Sequence, residues 1–431
     1  MESEPLFTFI HCADLHLDSP FEGVHAVEPW VAEILRKATF DAFQQVVNIA
    51  LQEKCDFIII SGDVYDGADR SLHAKLRFRD ILRSVTDANL SCYIVHGNHD
   101  PLSGWEPEIT LPNGVVRFAG EQVSKFTFCK ENEELAHIYG ISFQERAIQQ
   151  NLARSFRKET KEVFSIGILH CNVGGIPNHD NYAPCSLDDL INTGIDYWAL
   201  GHVHTPMIIH KHDPIIIYPG NTQGRNITEY GPRGCYLTKV YENGNTDFEF
   251  RATDIVRWFR EEIDISELST LDDLLDVLIQ RREDVRLRAE NRHAILRLVL
   301  TGRGELHHLL RQRIDPEKDL ASPLREGEIN HDQFVWIESV TIKTRPMVDI
   351  EQRRIVEDFV GDYLRVIDSA RKKPDVGQKI WEILSQRPEW AVVSSELEHF
   401  SRDELLDILN EAEYYGLDKL LQEDEDNDVH Y

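Results

Sequence analysis

Residues 92–100 read CYIVHGNHD. Four β-prone residues, 93–96, run into a glycine and then into three polar residues of ligand type, the pattern of a buried strand that ends in a tight turn. Gly97 lets the backbone bend where a side chain would clash. Asn98 and His99 are then presented at the carboxyl end of the strand, where open α/β sheets place their ligands. An amide oxygen and an imidazole make no site alone, so the reading turns on whether other strands end in the same way.

Four others do. Working outward, the apolar run from Phe9 leads into Asp14-Leu15-His16, and residues 57–61 lead into Gly62-Asp63. Residues 164–169 lead into His170, and residues 197–200 into Gly201-His202-Val203-His204. Together the five strand ends supply Asp14, His16, Asp63, Asn98, His170, His202 and His204. Oxygen and imidazole donors without a thiolate suit a pair of divalent ions better than a structural zinc site; manganese is the first expectation, with iron, zinc or magnesium as alternatives. A carboxylate can bridge two ions about 3.5–4 Å apart, the separation that activates water for in-line attack on phosphorus. One Asp-x-His or one Gly-Asn-His-Asp is a weak signal; five such ends in one chain, each behind an apolar run, are a strong one.

The order Asp-x-His, Gly-Asp, Gly-Asn-His-Asp, His, Gly-His-x-His resembles that of the calcineurin-like metallophosphoesterases. Within them the chain is similar to the SbcD-type DNA repair exonucleases, and in particular to their YhaO-like bacterial branch. That narrower likeness rests on ADLHLDSPF at residues 13–21 and YPGNTQGR at residues 218–225. It covers about the first 250 residues. The resemblance implies an α/β fold, a four-layer α-β-β-α sandwich followed by a small α+β capping domain and C-terminal helices. It implies that Asp14, His16, Asp63 and His204 hold one ion and Asp63, Asn98, His170 and His202 the other. It leaves His99 off the ligand set, to stabilise the transition state and protonate the leaving oxygen, with Asp66 orienting it. A turn or helix-cap role is the plainer reading of Asp66. The resemblance further implies C-terminal helices docked on an SMC-like ATPase, and a homodimer formed through helices near the site.

At 431 residues the chain is long enough for two or three domains, and 42% hydrophobic content gives each a core. No stretch approaches the roughly 18 apolar residues of a membrane span, and MESEPLFTF lacks the basic flank and apolar region of a signal peptide. A cytoplasmic protein is expected. Seven scattered cysteines without a C-x-x-C agree with reduced thiols, and Cys12 and Cys171, beside the ligand motifs, read as packing. The net charge of −29, from 75 acidic and 46 basic residues, argues against a large non-specific DNA footprint. It leaves room for a local basic groove, and a metal pair itself attracts phosphate.

The domain expectation is a phosphoesterase domain at 1–254, an α+β domain at 255–346, a helical segment at 347–421 and an acidic disordered tail at 422–431. Helices are expected over 29–53, 71–89, 144–161, 269–282, 306–313, 350–367, 378–385 and 401–413, and residues 115–119, 125–128 and 137–141 as strands of a second sheet. Lys75, Arg77, Arg79 and Arg83 read first as a solvated helix face. Trp105 reads as loop packing ahead of a base-stacking platform. His137, His210 and His212 read as structural or surface histidines, and His179 and Asp180 are left out of a full ligand set. The leading function is a metal-dependent phosphodiesterase acting on DNA as an exonuclease. The rivals are a phosphoesterase for a small nucleotide or other phosphoester, which the acidic balance favours, and a non-catalytic scaffold for an ATPase.

Overall fold

The computed structural model describes residues 4–22, 28–66, 71–104, 109–176, 180–373, 409, 412–417 and 419–420. Trp105, His179, the helix expected at 378–385, most of that at 401–413 and the acidic tail lie outside the described residues.

The first four strands are β1 (Phe7–Cys12), β2 (Phe57–Ser61), β3 (Ser91–Val95) and β4 (Val115–Arg117), parallel neighbours in that order. Six more build a second sheet: β5 (Ser124–Lys130), β6 (Glu133–Gly140), β7 (Phe164–His170), β8 (Tyr197–Gly201), β9 (Met207–His210) and β10 (Ile215–Tyr218), ordered β5-β6-β7-β8-β10-β9. The chain then returns to the first sheet with the hairpin β11 (Gly234–Val240) and β12 (Thr246–Ala252), completing the order β12-β11-β1-β2-β3-β4. The parallel β1 and β2 are apolar on both faces, as parallel strands buried from both sides must be. Phe7, Phe9, Phe57 and Ile59 meet Ile166, Ile168, Tyr197 and Ala199 in one core between the sheets. The alternate residues Ile10, Cys12, Ile58 and Ile60 face outward into a second core.

Helices α1 (Pro29–Gln52) and α2 (Leu72–Asp87) cover that outward face. The apolar stripe of α1 at Phe43, Val46, Val47 and Ala50 is fully buried, and Ser71 caps α2 through the Ala74 N–H. The outer face of the second sheet carries a third core under the short helix α3 (Leu187–Ile191) and the ribbon that precedes β7. The layers are therefore α-β-β-α, the last one thin.

Two expectations are corrected within the sandwich and one beyond it. Residues 115–117 pair with β3 and extend the first sheet rather than opening the second. Residues 144–161 hold only a single 3₁₀ turn, Ala153–Ser155. Their Leu152 and Phe156, four apart as on a helix, are each buried in the third core, Phe156 with its ring centroid 4.8 Å from that of Trp198. Asn151 and Arg154 are tied to Asp189, so tertiary anchors override the helical spacing. Beyond the sandwich a strand, β13 (Val256–Asp264), opens a three-stranded sheet with β14 (His293–Thr301) and β15 (Val335–Ile342). Helices α4 (Leu271–Arg288), α5 (His307–Gln312) and α6 (Ser322–Arg325) lie between these strands in the chain. The helix expected over 350–367 is two, α7 (Ile350–Ile355) and α8 (Phe359–Arg371), the second opened by Asp358 capping the Gly361 N–H.

The described chain divides into two compact units, 1–261 with 279–298 and 321–339, and 262–278 with 299–320 and 340–431. The first holds a further core, in which Val31 and Leu35 pack with Trp258, Ile295, Phe334 and Trp336. The second has a small core of Val360, Leu364 and Leu417, and leaves Met347, Ile355, Phe359 and Val366 exposed. No helix among the described residues is long and apolar enough to cross a membrane.

Candidate metal centre

The seven predicted donors converge where β1, β2 and β3 of one sheet and β7 and β8 of the other come to their carboxyl ends. They do so at a close approach. A Cβ on Gly201 would lie 1.8 Å from the Ser61 carbonyl oxygen, and one on Gly97 would lie 2.3 Å from Asp63 Oδ1. Only hydrogen fits at either place. Asp14, His16, Asp63 and His202 take positive φ of 51°, 42°, 49° and 104°. Such backbones cost about 1–3 kcal/mol each and are kept where the surrounding structure fixes them. Here the Asp14 and His16 N–H groups bond to the carbonyls of Gly62 and Asp63, so the two turns brace each other.

Two donor groups share Asp14: Asp14, His16 and His204, and Asp14, Asp63 and His170. Asp63 Oδ2 stands 3.4 Å from His170 Nε2 and 4.0 Å from His16 Nε2, between the two groups. Asn98 Oδ1 lies 3.0 Å from His170 Nε2 and 3.3 Å from His202 Nδ1. His16 Nε2 and His204 Nε2 face each other at 3.0 Å.

The supports of the imidazoles show which nitrogen each turns inward. His170 Nδ1 bonds to the Ser61 carbonyl and His202 Nε2 to the Asp180 carbonyl, at 3.0 and 2.7 Å. Carbonyls only accept, so both supported nitrogens carry the proton and the opposite nitrogens are the ones turned inward to offer a lone pair to an ion. His204 Nδ1 lies 2.6 Å from Glu229 Oε1, which leaves its Nε2 for the site. Among the described residues, His16 Nδ1 is buried without a hydrogen bond, 4.0 Å from Asp66 Oδ2. Burial holds the His16 imidazole well below its ordinary pKa, with the nearby Arg225 and His204 adding to the effect. Two imidazole nitrogens facing each other across 3.0 Å, beside two buried carboxylates, are a donor set that suits a divalent cation. His170 carries the same message. Burial would lower its pKa, but the charge and hydrogen bond of Asp63, with Asp14, raise it to about 9. A positive charge is wanted there, and an ion would displace the proton that supplies it.

His99 stands outside this set of lone pairs. Its backbone N–H donates to Asp63 Oδ1 at 2.9 Å, while its Nδ1 lies 2.6 Å from Asp66 Oδ1. Burial opposes its charging, but the Asp66 bond and the Asp63 charge outweigh burial and raise its pKa. Asp66 is held well below the usual carboxylate range, first by that bond, against its partial burial. His16, Asp66 and His99 are themselves close enough to form a donor cluster.

Sequence reasoning missed three participants. Glu229 is buried, carries His204, and sits in the 3₁₀ turn Ile227–Glu229, with no apolar run to mark it. Arg225 ends the stretch YPGNTQGR, where nothing in the sequence gives it a role; it pairs with Asp66 at 2.7 Å. Asp100 ties the turn together from below, accepting from Gly97 and Val64 N–H and meeting His96 Nδ1 at 2.9 Å. The seven cysteines are free, and Cys12 and Cys171 are buried. Of the basic residues on α2, Arg77 pairs with Asp41 and Arg79 and Arg83 with Asp80. Arg281 and Arg288 pair likewise with Glu261, Arg286 with Glu283 and Glu328, and Arg292 with Asp254.

The calcineurin-like phosphoesterase family model matches residues 7–206, and that of the middle domain of metallophosphoesterase YhaO matches residues 258–345. The uncharacterized metallophosphoesterase YhaO of Bacillus subtilis is 35% identical over 410 residues, 94% of this chain and 96% of that one. The DNA double-strand break repair protein Mre11 of Saccharolobus solfataricus is 24% identical, over 81% of this chain and 92% of its own length. One component of the nuclease SbcCD of Bacillus subtilis is 22% identical, over 52% of this chain and 63% of its own length.

Proposed function

The chain belongs to the calcineurin-like metallophosphoesterases, in the branch of YhaO and the SbcD-type proteins, and is a metal-dependent hydrolase; from that premise we propose that it hydrolyses DNA phosphodiester bonds, as an exonuclease. The observation that carries the reading is the inward-turned donor set at the strand ends, with His99 and Asp66 beside it. Asp14, His16, Asp63 and His204 would hold one ion, and Asp63, Asn98, His170 and His202 the other, manganese being the first choice for both. Bound there, a divalent pair supplies activation of water for in-line attack and neutralises charge growing on the phosphoryl oxygens. The chain's own groups do the rest. Asp63 keeps the two halves of the site in register. Asp66 holds His99 by Nδ1, so Nε2 is the nitrogen left to protonate the leaving oxygen.

DNA as the substrate is supported by the names of the relatives, a double-strand break repair protein and a component of a nuclease. The pairing of so many surface arginines with acids, and the net charge of −29, favour a second reading, a small phosphoester. We propose the division 1–254 for the nuclease domain, 255–346 for a capping domain and 347–421 for docking to an SMC-like ATPase. The exposed Ile355, Phe359 and Val366 give that last surface an apolar character.

The deciding assay is hydrolysis with manganese of end-labelled single- and double-stranded DNA beside bis-p-nitrophenyl phosphate, with Asp63→Ala as control. DNA shortening that the variant abolishes is expected. Cleavage of the small diester with DNA intact, alone and with the ATPase added, would move the substrate to small phosphoesters.

A further inference from the structure

Arg225 closes the stretch YPGNTQGR with a side chain only 11% exposed. Its Nη1 donates to Asp66 Oδ2 at 2.7 Å, and Asp66 Oδ1 lies 2.6 Å from His99 Nδ1. On its other side the Arg225 backbone N–H donates to Glu229 Oε2 at 2.7 Å, with Nη2 3.8 Å from Oε1. Glu229 Oε1 in turn is 2.6 Å from His204 Nδ1. One guanidinium therefore stands between two carboxylates, each gripping an imidazole by the same nitrogen. Without it, among the described residues, Asp66 Oδ2 would keep the Ser19 hydroxyl, at 3.3 Å, and the more distant His16 Nδ1, at 4.0 Å. A carboxylate on a partly exposed rim, held by one hydroxyl, is free to turn toward water. A planar guanidinium hydrogen-bonded to it is a stiffer mount than any ammonium.

We infer that Arg225 is a positioning residue: through Asp66 it locks His99 with Nε2 toward the leaving oxygen, and it ties that lock to the Glu229 support of His204. The inference rests on His99 as the proton donor of the proposed reaction. A donor matters in proportion to how badly the leaving group needs a proton. A nitrophenolate leaves unaided, whereas a sugar alkoxide does not. Loss of the lock therefore shows as a rate loss that depends on the leaving group, a signature that simple loosening of the fold lacks.

The experiment uses the full chain loaded with manganese, comparing Arg225→Ala and Arg225→Lys with wild type on thymidylyl-thymidine and on bis-p-nitrophenyl phosphate. Arg225→Ala is expected to lower kcat by about 10–100-fold on the dinucleotide and by no more than a few-fold on the nitrophenyl diester, with metal content and Tm kept. Arg225→Lys should recover part of the dinucleotide rate. Equal losses on both substrates, or losses that track missing metal, would overturn the inference. A second readout needs neither metal nor turnover. In the ion-free protein labelled with ¹⁵N-histidine, the His99 Nδ1–H resonance, assigned by its absence in His99→Gln, should broaden by exchange with water in Arg225→Ala. An unchanged resonance would overturn the lock whatever the activity. A wild type that cleaves neither diester would instead sink the phosphodiesterase reading, while the resonance still judges Arg225.

Discussion

Two imidazoles of the site lean on carboxylates and two on backbone carbonyls. His99 and His204 meet Asp66 and Glu229, each at 2.6 Å. His170 and His202 give a ring N–H to Ser61 and Asp180. A carbonyl fixes the tautomer and belongs to the main chain, so no substitution removes it. A carboxylate adds a full charge, strengthens the opposite nitrogen as a donor, and can be deleted. The two kinds are also placed differently. The His99 and Asp66 side chains are about one-third exposed, whereas that of His170 is 0% exposed. The floor of the site is fixed by the fold, and the rim is set by side chains.

The comparison breaks most readily at His99. If His99 does proton chemistry while His170, His202 and His204 hold ions, His99→Ala should lower kcat by about 10²–10⁴-fold with metal content unchanged by plasma emission spectrometry. Loss of an ion in that variant would make His99 a ligand and erase the distinction. Glu229→Gln keeps the shape and removes the charge behind His204. It should weaken manganese binding or turnover by about 10–100-fold, read by calorimetry and by initial rates.

The floor makes its own prediction through pH. In the ion-free protein His170 titrates near 9, so at neutral pH an ion must displace its proton. Protons compete with the ion below that value, and manganese affinity should rise by about tenfold per pH unit toward it, then level off. Asp14, raised by burial to about 6, adds a second proton to the competition only in acid. Calorimetric titrations from neutral to alkaline pH, in buffers of different ionisation enthalpy, would count the released proton. A flat affinity would place His170 outside the ligand set. The smallest effect is expected from Asp180→Ala. Its carbonyl, not its carboxylate, holds His202, so binding and rate should stay within about twofold of wild type.

What was legible in the sequence follows the same division. Donors such as Asp63 and Asn98 must sit just past a buried strand, so an apolar run announces each of them. The supports have no such herald. Glu229 belongs to a polar turn, and its one written sign is its place four residues after Arg225, a spacing that gains meaning only once the turn is seen to fold back on His204. The sheets themselves were readable from the apolar runs of β1 and β2, but the membership of β4 was not. A three-residue strand takes its sheet from what lies beside it in space. The ribbon at 144–161 misled for the related reason that Leu152 and Phe156 answer to Trp198 and its neighbours rather than to each other.

The carbonyl of Ser61, pressed against Gly201 and bonded to His170, has a consequence in time. Asp14, His16, Asp63 and Asn98 leave the ribosome well before His170 and His204, and until β8 docks there is only half a site. Ion binding therefore reports on the finished sandwich and, by mass action, favours it over every half-made form. Without the metal, the finished sandwich would lose that mass-action advantage along with its chemistry.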